Sequence, residues 1–265
     1  MEMLEVKLKN KILKTPFIIG SSDMISSFEQ AENAVKIGKD LIGAIVWKST
    51  TLEPRTGYKE PIICDYNDGF LVASGMKNIG IEDTIKECTK FKKKYPNIIL
   101  LVSIASVNID KASDELVELA IKLKDTNIDG IELNLSCPHQ VAKEKYQTKL
   151  LAQDNEFVSD IVRKVKNVIK DTDLILSVKL TGWDADISSI AKAAENSGAD
   201  DIVVTNIFPG IGYYTGLKKY HNNYDYKVGD SLLGNFKGGY TGISMLPATL
   251  LIVNNVKNNV NIPVL

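Results

Sequence analysis

The chain has 265 residues, 44% of them hydrophobic and 25% charged, with a formal net charge of −1. That length and composition suit one large buried core, and the near-zero charge supplies no broad basic field for nucleic acid as the main partner. The cysteines Cys64, Cys88 and Cys137 form no CxxC pair, which argues against a disulfide framework or a zinc site and fits a reducing cytoplasm. The N-terminus lacks a long apolar h-region and no apolar stretch approaches ~18 residues, so neither export nor membrane attachment is predicted.

No low-complexity segment or linker interrupts the chain, and a single domain over residues 1–265 is predicted. Leu4 to Leu8 and Ile12-Leu13 flank a polar Lys9-Asn10-Lys11 turn, which reads as an N-terminal β-hairpin capping the bottom of a barrel. Seven buried-strand candidates follow: Phe17 to Gly20, Ala44 to Trp47, Ile98 to Ile104, Gly130 to Leu135, Leu174 to Leu180, Asp201 to Thr205 and Ile262 to Leu265. Amphipathic helical stretches lie between several of them, at Ser113 to Lys124, Asn155 to Ile169, Ile187 to Ser197 and Met245 to Lys257. Such alternation allows an open doubly wound sheet or a (β/α)8 TIM barrel. No Gly-x-Gly-x-x-Gly follows the first strand, so the barrel is favoured. The stretches Thr50 to Asn78 and Phe208 to Tyr240 are too long for simple connections and each follows a strand's C-terminal end, where they read as loops that cover a site.

In a barrel the C-terminal ends of the strands converge on one mouth. Here they are polar: Gly20-Ser21-Ser22, Lys48-Ser49, Asn134 with Cys137, Lys179, and Thr205-Asn206. Two lysines in one mouth call for an anion, although either alone can snorkel to solvent. A free Cys is commonly a small buried hydrophobe. At a barrel strand's C-terminal end, in Asn134-Leu135-Ser136-Cys137-Pro138-His139, it is placed to react.

The order and spacing of these residues resemble the dihydroorotate dehydrogenase family, including the related pyrimidine-ring domain of dihydropyrimidine dehydrogenase. The resemblance runs the whole chain, through Lys48 to Arg55, Gly75-Met76-Lys77-Asn78, Glu132 to Pro138, Val178 to Thr181, Thr205-Asn206 and Gly238 to Gly242. It implies an FMN-dependent barrel that removes or adds two hydrogens across a ring C–C bond of a pyrimidine, dihydroorotate to orotate in UMP biosynthesis. By the same resemblance Cys137 is the base at ring C5 and Lys179 the cation at the flavin N1/O2 edge. Lys48 serves flavin and substrate together, and Gly20, Ser21, Ser49, Thr205, Gly238 and Gly239 line the flavin. Asn134 and Asn206 orient the ring, with Gly75, Met76 and His139 also on the substrate side. The implied partners are a soluble electron acceptor or an electron-transfer subunit, and a second copy of the chain.

Departures from the family pattern bear on the substrate. Val72 stands where Asn is common, Cys-Pro-His where Cys-Pro-Asn is usual, and Asn206-Ile207 where Asn-Ser or Asn-Thr is usual. Each weakens a pocket for a charged ring, and His139 points toward the dihydropyrimidine dehydrogenase branch and neutral rings. A tRNA dihydrouridine enzyme would bring a basic face that this chain lacks. His221, in Tyr220-His221-Asn222-Asn223, is read as solvated and given no role. The chain stops at Asn261 to Leu265, where the family continues into a glycine-rich turn that binds the FMN phosphate. The expectation is a barrel without its last strand and helices, which is either an incomplete record or a non-catalytic fragment that does not hold FMN.

Overall fold

A computed structural model of the protein describes residues 4–136, 151–182, 186–217 and 224–265, with the side chains of Ile109 and Leu151 outside that description. The chain opens with β1 (Val6–Leu8) paired antiparallel to β2 (Lys11–Leu13), with Lys9 at φ 52° in the two-residue turn. Next come β3 (Ile18–Ile19), α1 (Phe28–Gly38), β4 (Ala44–Thr50), β5 (Ile63–Tyr66), β6 (Gly69–Val72) and α2 (Ile81–Lys94). They are followed by β7 (Ile99–Ile104), α3 (Ala112–Leu123), β8 (Gly130–Asn134), α4 (Asn155–Val168), β9 (Ile175–Lys179) and α5 (Ile187–Asn196). The described chain ends with β10 (Asp201–Val203), β11 (Phe208–Gly210), β12 (Gly238–Gly242) and α6 (Leu246–Lys257).

Strands β3, β4, β7, β8, β9 and β10 form one parallel sheet in sequence order. Pro263 to Leu265 continues it beyond β10: Ile202 N donates to Pro263 O at 3.0 Å and Leu265 N to Ile202 O at 2.8 Å. The outward residues, among them Ile45, Trp47, Leu100, Val102, Leu133 and Val178, share one core with the buried faces of the helices. Each helix packs on the next in chain order. Helix α4 shows why these segments are helical. Asp154 caps it, accepting from Glu156 N and Phe157 N, and its buried residues Val158, Ile161, Val162 and Val165 fall at i, i+3, i+4 and i+7. A curled parallel sheet of six strands with helices on one face is a partial (β/α)8 TIM barrel, as expected from the sequence.

The inward residues stack in layers. At the bottom Leu8 and Leu13 of the hairpin pack on Ala44, Val46, Ile99, Leu101 and Ile175, as a cap should. Lys9 pairs with Asp200 at 3.4 Å and Lys11 with Asp129 at 3.2 Å, tying the turn to residues just before β10 and β8. Above this apolar floor, strand register aligns Ser103, Glu132, Ser177 and Asp201 in one row. Ser177 Oγ donates to Asp201 Oδ2 at 2.7 Å, while Asp201 Oδ1 and Glu132 Oε1 are buried with no hydrogen-bond partner among the described residues. Burial first, then the nearby carboxylates of Glu132 and Asp200, push the Asp201 carboxyl up to about 8 against the opposing Ser177 hydrogen bond.

The two long connections are where the structure departs from expectation. Instead of separate loops they build a second sheet, antiparallel in the order β11-β12-β6-β5. Its core is Cys64, Leu71, Ala73, Leu232 and Leu233, flanked by Tyr66, Tyr214, Tyr226 and Tyr240. A Cβ at Gly69 would sit 2.1 Å from the Thr241 carbonyl oxygen, so the approach of β12 to β6 requires glycine there.

Two expectations follow. Leu13→Ala, which empties part of the floor, should lower unfolding free energy by about 2–5 kcal/mol in urea titrations. Between about pH 4 and pH 8 the folded chain keeps the Asp201 proton that the unfolded chain has released, so this group makes stability fall as pH rises through that window. The slope is at most ~1.4 kcal/mol per pH unit. Asp201→Asn should flatten the decline in urea midpoint between pH 6 and pH 8.

Candidate active site

The parallel strands deliver polar side chains to one mouth because each inward position near a strand's C-terminal end faces its neighbours across the barrel. Ser21 follows β3, and its Oγ accepts from Ser49 N at 3.0 Å and lies 3.3 Å from Ser49 Oγ. Ser49 Oγ lies 2.8 Å from Ser103 Oγ and accepts from Asn134 Nδ2 at 2.9 Å. On the far side Asn206 Nδ2 donates to Ser136 Oγ at 3.0 Å, Ser136 O at 3.2 Å and Asn134 Oδ1 at 3.4 Å. A continuous chain of hydroxyls and amides thus crosses the mouth from Ser21 to Asn206. Its members Ser49, Ser103, Asn134 and Ser136 are buried, so their orientations are held by one another rather than by solvent.

The two lysines of the mouth are in different states. Lys48 Nζ lies 2.8 Å from Asp23 Oδ1. Lys179 has no ion pair among the described residues and borders two cavities. One, of about 460 Å³, is lined by Ser21, Lys179, Thr205, Asn206, Tyr240 and Thr241 with the start of α6. The other, of about 210 Å³, reaches into the barrel between Gly20, Glu132, Ser177, Lys179 and Thr205. A Cβ at Gly20 would meet nothing within 4 Å, so the backbone borders open space there.

Other residues singled out from the sequence sit elsewhere. Gly75 and Met76 take positive φ values of 63° and 57° in a turn braced by Asn78, whose Nδ2 donates to Met76 O at 2.8 Å. Met76 packs on Ala105 and Val107, and neither residue lines the two cavities described. Gly238 and Gly239 lie inside β12, where added Cβ atoms would fall 2.6 Å from Val72 O and 2.1 Å from Ile207 Cδ1 respectively. Their neighbours Tyr240 and Thr241 face the larger cavity instead. Cys137, His139 and His221 lie outside the described residues.

Three contributors were not assigned a role from sequence. Ser103 stands as one polar residue in the apolar run Ile99–Ile104, which was the only signal it offered. Ser136 was part of a motif without a function, and Asp23 is one acid in a polar turn. A cation with no ion pair among the described residues, together with fixed amides and hydroxyls around an open space, forms a donor-rich site suited to a planar, oxygen-rich ring.

Comparison with known proteins gives the family. A family model described as dihydroorotate dehydrogenase matches residues 3–265. The catalytic subunit of dihydroorotate dehydrogenase B (NAD(+)) from Streptococcus pneumoniae is 31% identical over 263 residues, covering 99% of this chain and 77% of the relative. A putative dihydroorotate dehydrogenase A (fumarate) from Pediococcus pentosaceus is 31% identical over 267 residues, covering 100% of this chain and 80% of the relative. The dihydroorotate dehydrogenase A (fumarate) of Lacticaseibacillus paracasei is 33% identical over 228 residues, covering 85% and 71%. With the match running nearly end to end over a barrel whose strand ends carry this polar mouth, the chain belongs to the dihydroorotate dehydrogenase family of oxidoreductases.

Proposed function

We propose that the protein is an FMN-dependent oxidoreductase that converts dihydroorotate to orotate in pyrimidine biosynthesis. The observation that carries this reading is the Lys179 ammonium, which has no carboxylate partner among the described residues and borders an open space shared with Ser21, Thr205 and Asn206. That donor set fits the flavin ring edge that becomes negative on reduction, and Lys179, Ser21, Ser49, Thr205 and the Gly20 backbone would hold it. When bound, FMN supplies the two-electron acceptor.

The chain's own residues account for the remaining chemistry. Asn134 and Asn206 are locked into one network, so their amides are held in a fixed orientation for the substrate imide. Cys137 takes the proton from C5 as the hydrogen at C6 leaves with its electron pair, and the C5=C6 double bond forms. A free thiol has pKa ~8.5, so this base works near neutral pH only where positive charge favours the thiolate. Lys179, which has no ion pair among the described residues, is the cation of this site that would supply such a field.

The electrons then pass to a soluble acceptor or an electron-transfer subunit. This follows the names of the relatives, which specify fumarate for the A type and NAD(+) with a catalytic subunit for the B type. A second reading, a neutral dihydropyrimidine as substrate, is supported by Val72, an apolar residue at a position where the family commonly places Asn.

The visible spectrum of the purified chain with FMN, titrated anaerobically with dihydroorotate and separately with dihydrouracil, tests both readings. Bleaching by dihydroorotate is the expected result, and bleaching by dihydrouracil alone would transfer the assignment to the neutral ring. Cys137→Ala should keep the bound-flavin spectrum and lose turnover at pH 7 by at least ~10²-fold. Lys179→Ala should slow flavin reduction by about 10²-fold in stopped-flow measurements.

A further inference from the structure

The ion pair between Lys48 and Asp23 joins unequal partners. The Lys48 side chain is 11% exposed and that of Asp23 is 55% exposed. Their meeting is built into the backbone. Lys48 N donates to Ile25 O at 2.8 Å, and Ile25 N closes a turn onto Ser22 O at 3.1 Å. Ile25 is buried in the main core and anchors that turn. The segment that brings Ser21 to the hydroxyl chain therefore also holds Asp23 against the mouth's second cation.

A half-exposed carboxylate can return to water at little cost, so it is a replaceable partner for a cation that cannot leave. An ammonium has three N–H donors, and Asp23 occupies one direction. A neutral ring carbonyl can take another while Asp23 stays in place. A ring bearing a carboxylate must either displace Asp23 or lie beside a like charge. Lys179, the other cation of the mouth, has no ion pair among the described residues, so the charge balance of the site depends on whether Asp23 is engaged.

We propose that Asp23 is a displaceable counter-ion of Lys48 that sets the preference of this site between anionic and neutral pyrimidine rings. Asp23 acts through Lys48 and is a positioning residue. The inference rests on the reading of the mouth as a pyrimidine site and deepens it by naming the residue that a ring carboxylate has to displace from Lys48.

Two measurements on the full chain with FMN in excess decide the matter. Calorimetric titration with orotate and with uracil should show Asp23→Asn binding orotate about ten-fold more tightly than the wild type, with uracil affinity changed less than about two-fold. Asp23→Glu, which keeps the charge, should stay within about two-fold of the wild type for both rings. Equal changes for the two rings, or none, would overturn the specificity role. Separately, with no ring present, the anionic amine reagent trinitrobenzenesulfonate should label Lys48 faster in Asp23→Asn than in the wild type, read by peptide mass spectrometry. Equal labelling would overturn the ion pair itself. If neither ring binds either protein while labelling still differs, the pyrimidine reading and the specificity role fall together, and the pairing of Asp23 with Lys48 stands.

Discussion

Because successive residues of a strand point to opposite faces, each barrel strand has to satisfy two environments at once. Outward positions such as Trp47, Val102 and Val178 meet helices, while inward positions such as Val46, Ser103 and Ser177 meet the strands across the barrel. A register slip of one residue would exchange the two sets and bring Lys48, Asn134 and Lys179 against the helices. The parallel register therefore fixes both the packing of the core and the location of the polar mouth.

The barrel interior grades from apolar to charged along its axis. Its floor is closed by hairpin leucines, its middle holds a row of serines and buried acids, and its top carries amides and ammonium groups. Buried carboxyls near one another are stable only where at least one stays protonated, which is the condition Asp201 meets at neutral pH. A protonated Asp201 adds no negative charge to the layer beneath Lys179, where Glu132 lines the same cavity.

Much of the barrel was legible because its strands are buried on both faces and read as short apolar runs separated by amphipathic helices. Helices α3, α4, α5 and α6 fall within a residue or two of the expected segments. The second sheet was not legible. Its strands are three to five residues long, and β12 reads Gly-Gly-Tyr-Thr-Gly, a composition that signals turns when taken alone. Only pairing across long sequence separation makes these segments strands. At the site, strand ends identified Ser21, Ser49, Asn134 and Asn206, which the structure joins through hydrogen bonds. They did not reveal Ser103, which links to that chain from inside an apolar strand, or Asp23, whose pairing with Lys48 comes from a turn geometry that sequence pattern does not carry. Gly238 and Gly239 answer a steric demand within β12, which the motif does not distinguish from contact with a cofactor.

The hairpin that closes the floor belongs to the first residues of the chain, yet its lysines pair with Asp129 and Asp200. Those partners lie far along the sequence, so the hairpin's ion pairs cannot form until the starts of β8 and β10 are in place. Contacts of such long sequence separation are slow to form because loop closure precedes their reward. The floor shared by Ala44, Ile99 and Ile175 is thus complete only once residues more than 160 positions after the hairpin have been made, although the segment that seals it is among the earliest.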